Sequence, residues 1–319
     1  MASSDFHRLT SRFKQFGGLR LIREYWRLGV FGTAAKAFFR CFLKRESFKR
    51  IYPSILNKVG PYLRRKYTPL MRERKVFYAG QELSHQRSKL VWWCWLQGFD
   101  AAPDIVKACY RSIKKHLTDR EIIIVDAENW REYVDLPDYI VRRWEKKQIP
   151  PALFADLLRL ELLVCHGGTW IDSTVLCTGR EHTQDYLDTD LFLFQYTRPG
   201  SKEFGGISNW FITACTNNEV LLTLRDMLYA YWRDYDCTLD YYIFHLFFSI
   251  LLREYPGQIA AMPYGYSRSS LVLLHMWRKP FDQEKWDQLV SQVSFHKLAF
   301  RHGSNIEPRS YYCWIVNSQ

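Results

Sequence analysis

The chain has 319 residues, of which 47% are hydrophobic and 17% aromatic. This composition allows a substantial buried core and excludes an intrinsically disordered chain. The formal net charge of +12 is unevenly distributed: residues 1–75 contain 19 Lys and Arg against four Asp and Glu, whereas residues 76–319 contain 26 against 29. We therefore expect a basic segment, residues 1–75, followed by one slightly acidic globular domain, residues 76–319.

Eight cysteines are scattered through the sequence without a CxxC pair, and several lie in apolar runs such as residues 91–95. They are typical of buried thiols in a reducing compartment and argue against a disulfide framework or a zinc site. The N-terminus lacks the apolar stretch of a secretory signal. The longest apolar run, residues 241–252, is too short to span a bilayer and predicts a core helix.

Residues 19–45 have the period of a basic amphipathic helix or helix pair, broken near Gly29 and Gly32. The basic residues of this segment are Arg20, Arg23, Arg27, Lys36, Arg40 and Lys44. The large apolar residues of the other side are Leu21, Ile22, Tyr25, Trp26, Phe38, Phe39, Phe42 and Leu43. Two interpretations stay open, because the apolar side could lie among the headgroups of an anionic membrane or pack on the following domain. A second basic block, residues 64–75, contains Pro69 and predicts a linker or capping segment.

From residue 89 the pattern alternates between strand and helix. Residues 90–96 predict an apolar strand, residues 104–116 a helix, and residues 121–126 a second strand that ends in an acid. A strand, a helix and a strand in this order predict the start of a mostly parallel sheet. The later predicted elements are a strand, residues 191–196, and two helices, residues 219–232 and 240–255.

The densest chemical signal lies on a predicted helix, residues 152–165, and on the predicted strand that follows it, residues 169–177. The helix carries Asp156 and Arg159 three residues apart and therefore on one face. In isolation, such a pair is a surface ion pair worth less than about 1 kcal/mol. The strand, however, carries Asp172 towards its carboxyl end, where open α/β sheets bind ligands.

A glycine pair, Gly167 and Gly168, joins this helix to this strand. Glycines allow the backbone to approach a ligand closely. A nucleotide sugar needs an acceptor for its hydroxyl groups, a cation for its diphosphate, and often a divalent metal held by carboxylate. Asp156, Arg159 and Asp172 offer these groups, so the segment predicts a nucleotide-sugar site.

Residues 154–174 resemble the S-D-x-x-R-x-x-x-L-x-x-x-G-G-x-x-x-D segment of the DXD sugar-binding-motif glycosyltransferases, and are more closely similar to capsular polysaccharide synthesis proteins. Other stretches that resemble this family are residues 91–103, 207–211, 240–245 and 295–298. The resemblance covers residues 89–300. It implies an α/β fold of the GT-A type, Rossmann-like with a mostly parallel central sheet and flanking helices, here preceded by a basic helical N-terminal extension.

The resemblance also implies site residues. The donor-binding residues that it implies are Trp95, Gln97, Asp156, Arg159, Gly167, Gly168, Asp172, Thr174, Asn209, Trp210 and Lys297. The implied catalytic residues are Asp172 and Asp240. Asp240 could orient the acceptor hydroxyl as a general base or cap the helix that it begins. Trp210 also fits a core position.

A divalent metal, Mn²⁺ or Mg²⁺, is the cofactor that the resemblance implies, with Asp172 and His296 as ligands. Thr174 stands where the DXD motif has its last acid, which leaves metal dependence open because both ions prefer carboxylate oxygen. His296 also fits a buried structural histidine, and His302 is a further candidate. A literal Asp188-Thr189-Asp190 precedes a predicted strand instead of ending one, and so predicts a polar turn.

The implied reaction is transfer of a hexosyl group from a nucleotide-diphosphate sugar to a lipid-linked oligosaccharide acceptor in bacterial capsular or surface polysaccharide synthesis, with retention of anomeric configuration. The alternative is a non-catalytic sugar-nucleotide or carbohydrate-binding subunit of a polysaccharide assembly complex, because Thr174 damages the metal motif. Nucleic acid is not an expected partner, since no known nucleic-acid motif accompanies the basic N-terminus. We expect a cytoplasmic protein held peripherally at the inner face of the cell membrane, where anionic lipids attract Lys and Arg.

Overall fold

The computed structural model describes residues 11, 13–43, 48–180, 184–197, 206–301 and 306–318. Lys44 and His302 lie outside the described residues, as do the side chains of Phe38, Phe42 and Leu43. The chain divides into two compact units. The first unit comprises Met1–Gln81, Asp135–Leu157 and Thr223–Glu254. The second comprises Glu82–Val134, Leu158–Leu222 and Tyr255–Gln319.

The described elements alternate between helices and strands after a helical beginning. In chain order they are α1 (Leu19–Arg27), α2 (Phe31–Leu43), α3 (Phe48–Ala79), β1 (Leu90–Cys94), α4 (Asp104–His116), β2 (Glu121–Val125), α5 (Asp138–Glu145), α6 (Pro151–His166), β3 (Gly168–Asp172), β4 (Val175–Cys177), α7 (Gln184–Leu187), β5 (Leu191–Gln195), β6 (Ile207–Ala214), α8 (Glu219–Asp234), α9 (Ile243–Glu254), α10 (Pro256–Ala261), α11 (Ser267–Ser270), α12 (Val272–Met276), α13 (Gln283–Gln292), β7 (Phe295–Lys297) and α14 (Tyr311–Ser318). Two single-turn 3₁₀ helices add Phe99–Ala101 and Trp130–Glu132.

The described part of the first unit is helical. The predicted helix pair is confirmed, because α1 ends at Arg27 and α2 begins at Phe31. Gly29 lies between them with a φ of 65°, a left-handed conformation that glycine adopts without strain. Its N–H donates to the carbonyl oxygen of Trp26 at 3.0 Å and so closes the end of α1.

The second basic block is not a linker. Residues 64–75 lie within α3, which continues through Pro53, Pro61 and Pro69. One side of α3 is a buried apolar ridge with a four-residue spacing: Ile55, Val59, Leu63, Tyr67 and Met71. Burial of such side chains contributes about 1.5–3 kcal/mol each, enough to offset prolines that cost about 3 kcal/mol each in a helix interior. The linker prediction is therefore wrong, and the predicted boundary between residues 75 and 76 falls inside α3.

The ridge of α3 packs on other helices of the first unit. The Tyr67 ring lies edge-on to Phe247 of α9, with 5.0 Å between ring centroids, and the Tyr67 hydroxyl donates to Asp234 at the end of α8 at 2.9 Å. Lys66 forms an ion pair with the same carboxylate at 2.8 Å. Residues 64–75 are thus part of a packed helical core, and their basic side chains lie at its border.

A five-stranded sheet forms the centre of the second unit, in the order β2-β1-β3-β6-β5. The β1 strand is parallel to both β2 and β3, whereas β6 is antiparallel to its neighbours β3 and β5. β5 therefore points the same way as β1, β2 and β3, and the sheet is mostly parallel, as predicted. Apolar residues of β1, β3, β5 and β6 pack against α4 and α14 in one hydrophobic core.

The predicted strand of residues 169–177 is two strands. β3 ends at Asp172 and β4 begins at Val175. β4 leaves the central sheet and pairs with β7 as a separate two-stranded antiparallel sheet, with Val175 opposite Lys297 and Leu176 opposite His296. The chain thus turns sharply at residues 173–174, directly after the predicted functional carboxylate.

No helix among the described residues combines the length and the apolar character needed to cross a bilayer. The cysteines whose side chains are described form no disulfide with one another, and most of them are buried. Cys165 is an exception to the prediction, because it lies exposed on α6.

Candidate functional site

Asp172 is the last residue of β3 and lies at the carboxyl-end edge of the central sheet. The neighbouring parallel strand β1 ends at the same level, because Cys94 lies opposite Asp172 in the register. Both strands are buried and apolar up to this edge. The strand geometry therefore delivers one carboxylate to the edge where parallel α/β sheets present their ligand-binding residues, as the sequence predicts.

Two cationic side chains of the second unit converge on the Asp172 carboxylate. Lys297, the last residue of β7, donates from Nζ to Oδ2 of Asp172 at 2.7 Å. Arg159 of α6 donates from Nη2 to Oδ1 at 3.2 Å. The Arg159 side chain is 5% exposed, whereas those of Lys297 and Asp172 are 21% and 24% exposed. Arg159 is therefore the buried support of the cluster, and Lys297 and Asp172 form its accessible face.

Three neighbours fix these charged side chains in place. The Trp170 indole N–H donates to Oδ1 of Asp172 at 2.9 Å, and the Arg159 guanidinium lies over the Trp170 ring, 4.8 Å from its centroid. Arg159 Nη1 donates to the backbone carbonyl of Asn209 at 2.5 Å. Lys297 Nζ also donates to the Thr174 hydroxyl at 2.6 Å. The fold therefore brings together five of the predicted site residues: Arg159, Asp172, Thr174, Asn209 and Lys297.

Trp170 is a site residue that the sequence analysis missed. Side chains two positions apart on a strand lie on the same face, and Trp170 precedes Asp172 by two positions on β3. This two-residue spacing is the sequence feature that indicates a position for Trp170 beside Asp172. An aromatic residue in a buried strand is normally assigned to the core, where most of the Trp170 ring also lies.

The electrostatic environment keeps Asp172 ionised. Burial alone would raise the pKa of this carboxyl, but the charges of Lys297 and Arg159 and the hydrogen bonds from Lys297 and Trp170 hold the pKa below its ordinary value. A carboxylate of this kind serves as a fixed negative charge and hydrogen-bond acceptor, and not as a proton donor near neutral pH.

His296 does not join this cluster. Successive side chains of a strand point to opposite faces, so His296 points away from the side on which Lys297 reaches Asp172. It is fully buried and contacts the hydroxyl of Thr178 through Nε2 at 3.1 Å. Burial lowers the pKa of His296 to about 4, so the ring is neutral at physiological pH. The structural interpretation of His296 fits these contacts, and the pair of Asp172 and His296 is not brought together as metal ligands.

The residues around Asp172 do not fit a divalent cation. Among the described residues, no group of three or more His, Cys, Asp or Glu side chains is arranged to hold a metal ion. Mg²⁺ demands near-octahedral oxygen coordination, whereas Asp172 contributes a single carboxylate whose two oxygens already accept hydrogen bonds from Arg159, Trp170 and Lys297.

Three further predicted donor-binding residues lie near the same edge of the sheet. Trp95 and Gln97 directly follow β1; the Trp95 ring packs edge-on against Phe300 at 5.2 Å, and Gln97 is exposed. Trp210 lies in β6, where it is buried and stacks on Phe194 with 4.4 Å between ring centroids. Gln97 is thus available to a ligand, whereas Trp210 is a core residue in this structure.

Gly167 and Gly168 lie at the amino end of β3, at the other end of the strand from Asp172. Both have positive φ, 64° and 92°. A Cβ at Gly168 would overlap the backbone carbonyl of Leu90, and one at Gly167 would lie 3.0 Å from the carbonyl oxygen of Gln86. The glycine pair is therefore explained by a tight connection between α6 and the sheet, and the structure does not bring it to the Asp172 cluster.

Asp156 and Asp240 belong to the first compact unit. Asp156 is buried on α6. Asp240 is buried just before α9, where its Oδ1 accepts a hydrogen bond from the backbone N–H of Tyr242 at 2.7 Å. Burial raises the pKa of Asp240 to about 6, although the hydrogen bond from Tyr242 acts in the opposite direction. Its carboxyl can therefore exchange a proton near neutral pH, in addition to its local capping contact.

The literal Asp188-Thr189-Asp190 sequence forms a bend before β5, which confirms the predicted polar turn. Asp188 pairs with Arg120 at 2.7 Å, and Asp190 pairs with Arg87 at 2.7 Å. The Arg87–Asp190 pair is exposed on both sides. These acids serve local ion pairs at the amino end of a strand.

Comparisons with known proteins bear on the whole chain. The family model described as capsular polysaccharide synthesis protein matches residues 41–315. No curated protein matches the chain. Among solved structures, a chain named PaToxG Glycosyltransferase is similar at 16% identity and a TM-score of 0.35, over 63% of this chain and 81% of that one. The family match spans most of the sequence and includes every residue of the Asp172 cluster, so the chain belongs to the capsular polysaccharide synthesis protein family.

Proposed function

We propose that this protein is a glycosyltransferase of the GT-A type that transfers a hexosyl group from a nucleotide-diphosphate sugar to a lipid-linked oligosaccharide during capsular or surface polysaccharide synthesis. Family membership supports a role in polysaccharide assembly. The mostly parallel sheet, with a charged cluster at its carboxyl-end edge, supports a nucleotide-sugar site. Retention of anomeric configuration is part of the proposal and comes from the family resemblance.

The observation that carries the proposal is the cluster of Asp172 with Arg159 and Lys297. A nucleotide-sugar donor combines a diphosphate, which needs cations, with sugar hydroxyls, which need a fixed acceptor. Lys297 and Arg159 supply the positive charge, and Asp172 supplies an acceptor that stays ionised. Charge-assisted hydrogen bonds of this kind are about twice as strong as neutral ones.

The reaction breaks the bond between C1 of the donor sugar and the diphosphate oxygen, and the electron pair leaves with the diphosphate. Positive charge develops on the sugar ring, as in glycosidic bond cleavage generally. The cationic side chains act on the growing negative charge of the leaving diphosphate. The acceptor oxygen forms the new bond to C1, and its proton passes to a general base; Asp240 is the candidate for this role from the sequence.

The first unit offers a surface suited to an anionic membrane. Along α1, Leu21 and Tyr25 are buried, whereas Leu19 and Trp26 are 80% and 70% exposed. Phe39 of α2 is 60% exposed. Trp26 and Phe39 are therefore not part of the buried core, and these exposed apolar side chains lie beside arginines of the same helix. This pattern supports peripheral attachment to the inner membrane face, where a lipid-linked acceptor would be reached.

A screen of nucleotide-diphosphate sugars tests the proposed function. The purified full-length chain is incubated with each sugar nucleotide, and release of the nucleoside diphosphate is measured with and without membrane extract as a source of acceptor. We expect release from one or a few donors. Binding of a sugar nucleotide with no release under either condition would instead identify a non-catalytic binding subunit.

A further inference from the structure

We propose that the Lys297 ammonium takes the place of a divalent metal ion in this site, so that Lys297 binds the donor diphosphate without a metal while the buried Arg159 adds its positive charge. The inference rests on the proposed function, because it concerns how that donor is held. It departs from the metal dependence that the family resemblance implies.

Lys297 lies where a metal ion of the site would lie. Its Nζ lies 2.7 Å from Asp172 Oδ2 and 2.6 Å from the Thr174 hydroxyl. These two side chains stand at the first and last positions of the Asp172-Ser173-Thr174 triplet. The ammonium is therefore bound by the very pair of positions that would hold a metal if both were acids.

Asp172 and Thr174 do not offer the coordination that a divalent metal would need. The remaining oxygen of Asp172, Oδ1, accepts hydrogen bonds from Trp170 and Arg159. A divalent ion on either oxygen would lie beside a cation at close range, and this like-charge repulsion would oppose its binding. Thr174 offers a neutral hydroxyl, which is a weak ligand for Mg²⁺ or Mn²⁺ compared with carboxylate.

The pairing of β7 with β4, and not a flexible loop, sets the position of the ammonium. Val175 pairs with Lys297 in the small antiparallel sheet, and the backbone N–H of Leu298 donates to the Thr174 carbonyl at 2.8 Å. Lys297 is therefore held at the Asp172-Ser173-Thr174 turn by its backbone. Its ammonium has three N–H donors, of which the contacts with Asp172 and Thr174 engage two, so a phosphate oxygen can accept the third.

The test uses the full-length chain and a panel of nucleoside diphosphates that includes UDP, GDP, ADP and CDP. Calorimetry measures the dissociation constant of the best binder in excess chelator and in excess Mn²⁺, and electron paramagnetic resonance measures loss of the free Mn²⁺ signal. We expect the same affinity under both conditions and no Mn²⁺ uptake by the protein alone. Nucleotide binding that requires Mn²⁺ would overturn the inference and leave the proposed function intact, whereas no binding of any nucleoside diphosphate would overturn both.

Variants give the test a positive control. Lys297→Ala should weaken nucleotide binding in chelator by about tenfold or more, because a charge-assisted contact is lost. Thr174→Asp combined with Lys297→Ala places two carboxylates at the turn and removes the competing cation, so its nucleotide affinity should rise when Mn²⁺ is added. Lys285→Ala, which removes an exposed lysine paired with Asp282 in the same unit, is the matched control and should bind as the wild type does. Circular dichroism and melting check folding, and unchanged nucleotide affinity in a folded Lys297→Ala variant would contradict the inference.

Discussion

Asp172 and Asp240 are both largely buried carboxyl groups, but their surroundings are opposite. Asp172 accepts hydrogen bonds from Lys297, Arg159 and Trp170, and its pKa lies below the ordinary value. Asp240 accepts a hydrogen bond from a backbone N–H, and burial raises its pKa to about 6. The first is arranged to remain charged, whereas the second can gain or lose a proton near neutral pH.

Under the proposed function, this difference suits the two carboxylates to different roles. A group that must attract and orient a donor through its charge should not titrate, so cations are placed around it. A group that must accept a proton from a hydroxyl works best with a pKa close to the pH of the cell.

The largest effect is expected at Asp172. Asp172→Asn keeps the shape of the side chain but removes the charge that Lys297 and Arg159 share. We expect transferase activity to fall by at least about 100-fold, as for loss of a principal electrostatic contact in an active site, and the fold to persist. Initial rates with the best donor measure this effect.

Asp190→Asn is the matched control for Asp172→Asn. It changes the same residue type in an exposed pair with Arg87, whose loss should cost less than about 1 kcal/mol, and activity should stay near that of the wild type. Near-normal activity in a folded Asp172→Asn variant would contradict the donor-site assignment.

The next effect concerns nucleotide affinity at Arg159. Arg159→Ala removes a buried guanidinium that contacts Asp172 and the Asn209 carbonyl. We expect affinity for the nucleoside diphosphate to fall by about tenfold or more, and the free energy of unfolding to fall by about 1–3 kcal/mol because a buried acceptor loses its donor. Calorimetry well below the melting temperature separates the two effects. A lower melting temperature with unchanged nucleotide affinity would make Arg159 a purely structural residue.

Asp240 should show a stability effect with a distinct pH dependence. Its pKa is raised from 3.8 to about 6 in the folded chain, so the folded state binds the proton more tightly than the unfolded state does. The resulting stability is present at low pH, is lost as the pH rises from about 4 to about 6, and is absent above that range.

Asp240→Asn removes this charge and keeps an acceptor for the Tyr242 N–H. We expect the variant to be more stable than the wild type by about 2–3 kcal/mol at pH 8, with the difference vanishing below about pH 4, while transfer activity falls. Denaturant unfolding across this pH range makes the comparison. A variant that is less stable at pH 8, or one that keeps full activity, would show that Asp240 only caps α9.

The smallest effect is expected on the proposed membrane-binding surface of the first unit. Leu19→Ser combined with Trp26→Ser should weaken binding to anionic liposomes several-fold without lowering the melting temperature, because both side chains are mostly exposed. Val76→Ser removes a similarly exposed apolar side chain at the end of α3 and serves as the control, with unchanged sedimentation. Equal liposome binding by all three proteins would refute the membrane assignment.

The sequence predicts those elements that are determined by residues close together in the chain. The helix of residues 104–116 and the position of Asp172 at a strand's carboxyl end follow from periodicity and spacing, and both are confirmed. Other features depend on distant residues. The continuity of α3 through Pro69 depends on burial against α9, and the antiparallel strand β6 depends on its partners β3 and β5.

Which of the adjacent residues His296 and Lys297 faces the Asp172 cluster also depends on residues that are distant in the sequence. The two residues are adjacent in β7, so one of them must face the site and the other must face away. The register of β7 against β4 decides which, because Val175 lies opposite Lys297. A shift of one residue would exchange them. No local pattern fixes that register, and so the two residues could not be ranked from the sequence.

The buried ridge of α3 also affects the state of the chain during its synthesis. Tyr67 packs on Phe247, a residue 180 positions later in the chain. At translation rates of about 5–20 residues per second, the ribosome needs roughly 10–35 s to synthesise that partner. During this interval the newly made α3 has its apolar ridge uncovered beside many positive charges. The nascent chain should therefore be a client for chaperones until α9 has been synthesised.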